Sequence, residues 1–244
     1  MHLKIAPLFA LLLAACATAE IGAPPTAPPP PAPVSAAQRH AAVQVDARTF
    51  LPAPPAAGSA LAQQELAIVR GPWSEARRQQ ALEDNAIDPF AAFDAVLGED
   101  FTAANYPATL AVLTRTGRAA GYAGDPVKAL HQRPRPFVTD SNITPCIPDE
   151  PALRASFSYP SGHAALGFAW SLVLAELVPT RADALIARGY DFSWSRVVCG
   201  VHYPSDVEAG RTVASAAVAR LHADPEFQRE LDAARAEMAR LHPN

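Results

Sequence analysis

The sequence predicts an all-α protein, a compact helical bundle around two central apolar helices, preceded by a signal peptide and a proline-rich spacer. Three observations lead there. Beyond about residue 58 the apolar residues recur at helical spacing, with few alternating β-branched runs. Half of the 244 residues are hydrophobic, enough for a sizeable core. Several segments open on helix start signals, Ser or Thr followed three residues later by an acid. A formal net charge of only −4 gives no reason to expect a nucleic-acid partner.

The first residues read as an export signal: a short basic start, "MHLK", then the apolar "IAPLFALLLAA", then Cys16. Leu13-Ala-Ala-Cys16 resembles a bacterial lipobox, in which the Cys thiol is lipidated and becomes the mature N-terminus. Ala17-Thr-Ala19 offers a competing cleavage site before Glu20. The lipoprotein is the route we expect, with residues 1–16 as its signal peptide, which places the chain in the periplasm, anchored to the outer membrane. Residues 17–48 form the spacer, whose "GAPPTAPPPPAPV" is extended and semi-rigid. With Cys16 lipidated or removed, Cys146 and Cys199 remain as an even pair. In an oxidising compartment we expect a disulfide, two buried free thiols being the alternative.

The domain itself spans 49–244. Helices are expected at 59–70, 73–85, 89–97, 107–122, 125–131, 162–178, 181–197, 205–222 and 225–241. Ser205-Asp-Val-Glu208 looks like a capping box, and Thr180-Arg-Ala-Asp183 like a weaker one. The segments 162–178 and 205–222 are the most apolar and should be central. The apolar run from Ala164 to Ala175 is too short to span a bilayer and stops at Glu176.

Polar residues gather in three places. In "SYPSGH" at 158–163, Ser161 suits a helix cap, Gly162 permits close backbone approach, and His163 sits beside an anion-attracting helix start. The same stretch also reads as a capped core helix that happens to carry a histidine. Lys128 and "RPRP" (133–136) form a second set, in which each Pro holds the preceding Arg extended. Guanidinium forks suit phosphate or carboxylate, although a solvated basic loop reads alike. The third set, "SWSRVVCGVHYPSD", holds Ser195, Arg196, His202 and Asp206. Asp206, in the first turn of a helix capped by Ser205, can accept from one nitrogen of His202 and leave the other free as a nucleophile. Three cations, two histidines, one carboxylate and a helix start suit phosphoryl transfer. Lys128 is also the sole lysine outside the signal, and His131 lies near the cations as a supporting group at most. No metal-binding signature is present, so neither a metal nor another cofactor is expected.

Lys128-x6-Arg135-Pro136, then Pro160-Ser161-Gly162-His163, then Ser195-Arg196-x5-His202-x3-Asp206 resembles the three-part signature of the type 2 phosphatidic acid phosphatase superfamily. Within it, "FLPAPPAAGSA", "SYPSGHA" and "RGYDFSWSRVVCGVHYPSDVEAGR" look like the class A bacterial non-specific acid phosphatases, over roughly residues 49 to 244. The resemblance implies His202 as nucleophile forming a phosphohistidine, Asp206 as its support, and His163 as general acid. It implies Lys128, Arg135, Arg196, Ser161 and Gly162 as phosphate ligands. It further implies small phosphate esters as substrates, transfer to acceptor alcohols, and a homo-oligomer. Phe157, Ala164 and "HYPSD" depart from the flanks usual in class A, which bears on substrate preference. A Ser161-based hydrolase lacks the Gly-x-Ser-x-Gly elbow. A vanadate haloperoxidase shares the motifs, but not the class A flanks or the short length. A degenerate, non-catalytic envelope lipoprotein is disfavoured by intact histidines at every motif position.

Overall fold

A computed structural model describes residues 45–241, so the signal segment, Cys16 and the spacer up to residue 44 lie outside the described residues. The described chain is helical throughout, without a strand. Helix α1 spans Ala60–Arg70, α2 Glu75–Glu83, α3 Pro89–Leu97, α4 Pro107–Ala123 and α5 Asp125–His131. Short α6 (Pro136–Thr139) and α7 (Pro151–Ala155) follow, then α8 (Gly162–Leu177), α9 (Ala182–Val198), α10 (Pro204–Leu221) and α11 (Pro225–Leu241).

The starts follow from local chemistry. The Ser59, Ser74, Asp88 and Ser161 side chains each accept a backbone N–H from the first turn that follows them. Orphan N–H groups at helix starts are thereby satisfied. Proline opens α3, α4, α6, α7, α10 and α11, where its missing donor costs nothing. This also explains α6 and α7, which sequence periodicity passes over: each is too short for a repeat but begins at Pro. Two expected caps fail. Thr180 falls within a 3-10 turn, Pro179–Arg181, and gives α9 no side-chain cap. At α10, Tyr203 rather than Ser205 is the cap residue, because Pro204 already occupies the first helical position.

Helix α8 runs through the middle, packed against α9, α4 and α10. Its sides are buried nearly all round, from Ala164 and Ala165 to Leu174 and Leu177. The second apolar segment, α10, is instead amphipathic: it packs one face on α8 and α4 and keeps Glu208 and Thr212 outside. α11 closes α4, with buried Phe227, Leu231, Ala234 and Met238 joining the main core. There the carboxylate of Glu237, 4% exposed, accepts from Ala108 N, Thr109 N and Thr109 Oγ1 at 2.8–3.0 Å. It thus caps the start of α4 from another helix. Cys146 and Cys199 are joined as a disulfide, tying the 140–150 segment to the end of α9. No helix among the described residues is long and apolar enough to cross a membrane.

Candidate active site

The turn after α9 sets up the site. Gly200, at φ +77°, reverses the chain, and Val201 N and His202 N both donate back to Arg196 O at 3.2 Å. Only glycine takes that backbone without strain, and a Cβ there would also lie 2.8 Å from Ile143 Cγ2. His202 thereby folds over the end of α9, 3% exposed. Its Nδ1 lies 3.4 Å from Asp206 Oδ2, and its Nε2 lies 3.0 Å from Arg135 Nη1. A carboxylate accepts a hydrogen bond from Nδ1–H, so Nε2 keeps its lone pair, which accepts from the guanidinium. Burial, then the charges of Arg135, Lys128, Arg196 and His163, holds the His202 pKa well below its ordinary value. The imidazole is therefore neutral, with the Nε2 lone pair available.

Three cations face this ring. Lys128 Nζ donates to the carbonyls of Phe157 and Pro160, and Arg135 donates to Val201 O and Ser156 Oγ. Arg196 Nη1 donates to Asn85 Oδ1 at 3.1 Å, while its Nε is buried with no partner among the described residues. Burial, followed by the charge of Arg135, pushes the pKa of Lys128 down to about 8 and that of Arg196 down to about 10. Burial likewise brings Arg135 to about 10. Three desolvated cations pressed together in this way are stabilised by an anion placed among them.

The start of α8 meets them. Ser161 caps it through Ala164 N, and Ser161 N donates to Asp206 O at 2.9 Å, pinning this helix start to the first turn of α10. Gly162 is required by packing: a Cβ there would lie 2.7 Å from Gly121 O. The first N–H groups of α8 have no intrahelical partner, the usual arrangement for an anion site. His163 stacks on Phe192 at 5.1 Å, and its Nε2 lies 2.7 Å from Asp84 O. A carbonyl can only accept, so Nε2 carries hydrogen and Nδ1 is left for the pocket. Burial and Arg196 push the His163 pKa down to about 3, against the opposing Asp84 hydrogen bond.

The structure thus brings Lys128, Arg135, Ser161, Gly162, His163, Arg196, His202 and Asp206 to one place. Ser195 is held elsewhere: its hydroxyl donates to Asp84 Oδ2 at 2.5 Å and accepts from Arg77 at 2.9 Å. His131 sits edge-on to Tyr159, at 5.7 Å. Sequence reasoning missed Asp84 and Asn85, whose loop after α2 holds His163 and Arg196, as well as Glu65. Arg133 was named with Arg135 in the "RPRP" set, but its place beside Asp206 was not. In an extended "RPRP" segment residues two apart share a face, and Arg133 indeed turns to Asp206 while Arg135 turns to His202. Among the described residues no group of three or more His, Cys, Asp or Glu is placed to hold a metal ion.

A helical domain that gathers three desolvated cations, two imidazoles and a helix start in one place has the make-up of a phosphate-handling protein. The comparisons agree. The PAP2 superfamily profile matches residues 108–229. A non-specific acid phosphatase of Providencia stuartii is 38% identical over 204 residues, covering 81% of this chain and 82% of the relative. Another non-specific acid phosphatase, of Salmonella typhimurium, is 41% identical over 66% of each chain. An acid phosphatase of Zymomonas mobilis is 43% identical over 43% of this chain and 40% of its own. The chain belongs to the PAP2 superfamily and, within it, to the bacterial class A acid phosphatases.

Proposed function

We propose that this acid phosphatase hydrolyses phosphate monoesters through a phosphohistidine on His202. The observation that carries the reading is the pair of contacts on its ring: Asp206 at Nδ1 and Arg135, a phosphate-binding cation, at Nε2. Substrate phosphate would displace the Arg135–Nε2 contact and lie among Lys128, Arg135 and Arg196, with the Ser161–Gly162 helix start beneath it. The Nε2 lone pair then forms the N–P bond as the P–O bond to the alcohol breaks. His163 Nδ1–H gives its proton to the departing oxygen, and Nδ1–H of His202 stays on Asp206. In the second half, His163 takes a proton from water, whose oxygen attacks phosphorus and releases His202 and phosphate. An alcohol in place of water would give phosphotransfer. The three cations neutralise the equatorial oxygens, as preorganised charge does in phosphoryl transfer generally.

Attack needs neutral His202 and departure needs protonated His163. A bound phosphate dianion raises the low His163 pKa, because opposite charge favours the protonated form. The profile is therefore a bell with its maximum on the acid side of neutral. The test is hydrolysis of p-nitrophenyl phosphate across pH with EDTA present, beside His202→Ala and a vanadate-inhibited sample. Activity that survives EDTA and vanishes with vanadate or the substitution supports the mechanism. Turnover persisting in His202→Ala overturns it. We further propose export to the periplasm with lipidation at Cys16 and assembly into a homo-oligomer. Mass spectrometry of the mature N-terminus tests the lipid: cleavage before Glu20 would refute it.

A further inference from the structure

Behind the His202–Asp206 pair lies a second buried charge system that the mechanism above leaves unused. Arg133 Nη1 donates to Asp206 Oδ1 at 2.6 Å and to Ser205 Oγ at 2.8 Å, and its Nη2 donates to Glu65 Oε2 at 2.7 Å. The other oxygen of Glu65 accepts from Ser205 N at 2.7 Å. The guanidinium lies over the Tyr203 ring, its Cζ 3.8 Å from the ring centre, and Tyr203 N donates to Asp206 Oδ2 at 2.8 Å. Exposure is 8% for Arg133, 4% for Glu65 and 0% for Asp206. Three elements meet here: α1, the segment before α6, and the first turn of α10.

Stability does not account for such a triad. Buried carboxylate–arginine–carboxylate systems are often no better than well-packed apolar side chains of similar size. Their geometry, by contrast, is specific. Arg133 holds one oxygen of Asp206, so the other is turned to Tyr203 N and His202 Nδ1. Burial first, and then the charge of Glu65, raise the pKa of Asp206, and Arg133 is the strongest influence opposing them. A lone arginine would also neutralise the carboxylate that has to support a positively charged phosphoimidazole. Glu65 balances it, leaving a net charge of one negative on the three groups.

Resting on the phosphohistidine reading, we infer that Arg133 and Glu65 are positioning residues that aim Asp206 at His202 and set how much negative charge it presents. Arg133 keeps Asp206 ionised through the acid working range, and Glu65 keeps that charge from being cancelled. The two therefore act in opposite senses on the same carboxylate.

The test is the pH dependence of kcat with p-nitrophenyl phosphate for Arg133→Met, Arg133→Lys and Glu65→Gln, each checked for folding by circular dichroism. The charged groups facing Asp206 are Arg133, Glu65, Lys128, Arg135 and His202; those facing His202 are Asp206, Arg135, Lys128, Arg196 and His163. Loss of Arg133 should let Asp206 protonate earlier, moving the acid limb to higher pH and lowering kcat by about 10²-fold, with KM little changed. Arg133→Lys should restore the limb but only part of kcat, since it keeps the charge and loses the fork. Glu65→Gln should move the limb the other way and also lower kcat. If Arg133→Met does not fold, the opposed behaviour of Glu65→Gln and the partial activity of Arg133→Lys decide. Folded variants with unchanged limbs and wild-type kcat overturn the inference, as do limbs shifting in the same direction. His202→Ala, run alongside, separates the two readings: if it is inert while the Arg133 and Glu65 variants behave as wild type, only the positioning role falls.

Discussion

Binding of a tetrahedral dianion should stabilise the fold, and more so at acid pH. In the empty pocket both histidines have pKa values lowered from 6.5, His202 well below it and His163 to about 3. A lowered histidine pKa means that the unfolded chain binds more protons at acid pH, so stability falls as pH drops through 6.5. At pH 5 the deficit is about 2 kcal/mol for His163, and His202 adds a deficit of the same sign. Lys128 adds the same sign between about 8 and 10.5. An anion among the cations reverses these penalties, because it favours the protonated forms. A ligand at a hundred times its Kd stabilises by about 2.7 kcal/mol, and for a domain of this size that is a Tm rise of about 5–11 °C. The assay is differential scanning calorimetry with sodium sulfate, a dianion at every pH used, against sodium chloride of equal ionic strength. Arg135→Met serves as the reference for the general stabilising effect of sulfate on proteins. Wild type should exceed that variant at pH 8 and exceed it further at pH 5. Equal rises in the two proteins, or a larger excess at pH 8, would refute the reasoning.

Further outcomes follow from single contacts. Asp206→Asn should leave α10 in place, its amide oxygen still able to accept from Tyr203 N, but lower kcat by about 10²-fold or more, read by steady-state kinetics. Replacing both Cys146 and Cys199 by Ser removes a crosslink spanning 53 residues, worth up to about 4 kcal/mol by loop entropy, and should lower the denaturation midpoint. The same pair of changes should cost kcat, because the bond anchors the turn that carries His202. Glu237→Gln should destabilise by about 1–3 kcal/mol in urea, since the buried carboxylate takes three donors from the start of α4. It lies away from the pocket and should leave kcat unchanged.

How far the sequence reveals this arrangement depends on the range of each interaction. Caps and prolines act within one turn, so the long helices are legible to within a few residues. The error at α10 is instructive: Ser205 looked like the cap, but Pro204 locks the chain into helix one residue earlier, and Asp206 becomes the third helical residue. From there its carboxylate reaches back to Tyr203 N and His202 at once. The residues that the fold gathers around His202 were legible as candidates because short motifs carry them on rigid elements. Asp84, Asn85 and Glu65 were not, because each meets its partner across 68 to 140 residues of chain, and only the folded packing brings them together. His163 shows the consequence: the motif identifies the imidazole, but which nitrogen faces the pocket is decided by the carbonyl of Asp84.

The close fit of helices explains why the two halves of the chemistry stay in register. Gly210 on α10 faces Ser161 at the start of α8, where a Cβ would come within 2.5 Å of Ser161 O. On the other side Gly162 packs on Gly121 of α4, again with no room for a side chain. Ser161 N in turn donates to Asp206 O. The start of α8, proposed here to bind phosphate, and α10, whose Asp206 contacts His202, are thus held backbone to backbone. A substitution at either glycine must move one against the other, and in-line transfer tolerates displacements of only about an ångström. Alanine would raise the intrinsic helix propensity at position 210 by about 0.5–1 kcal/mol. The contact with a main-chain oxygen cannot be relieved by a rotamer change, so the clash outweighs that gain. The small residue is kept for the geometry of the pocket rather than for the stability of the helix.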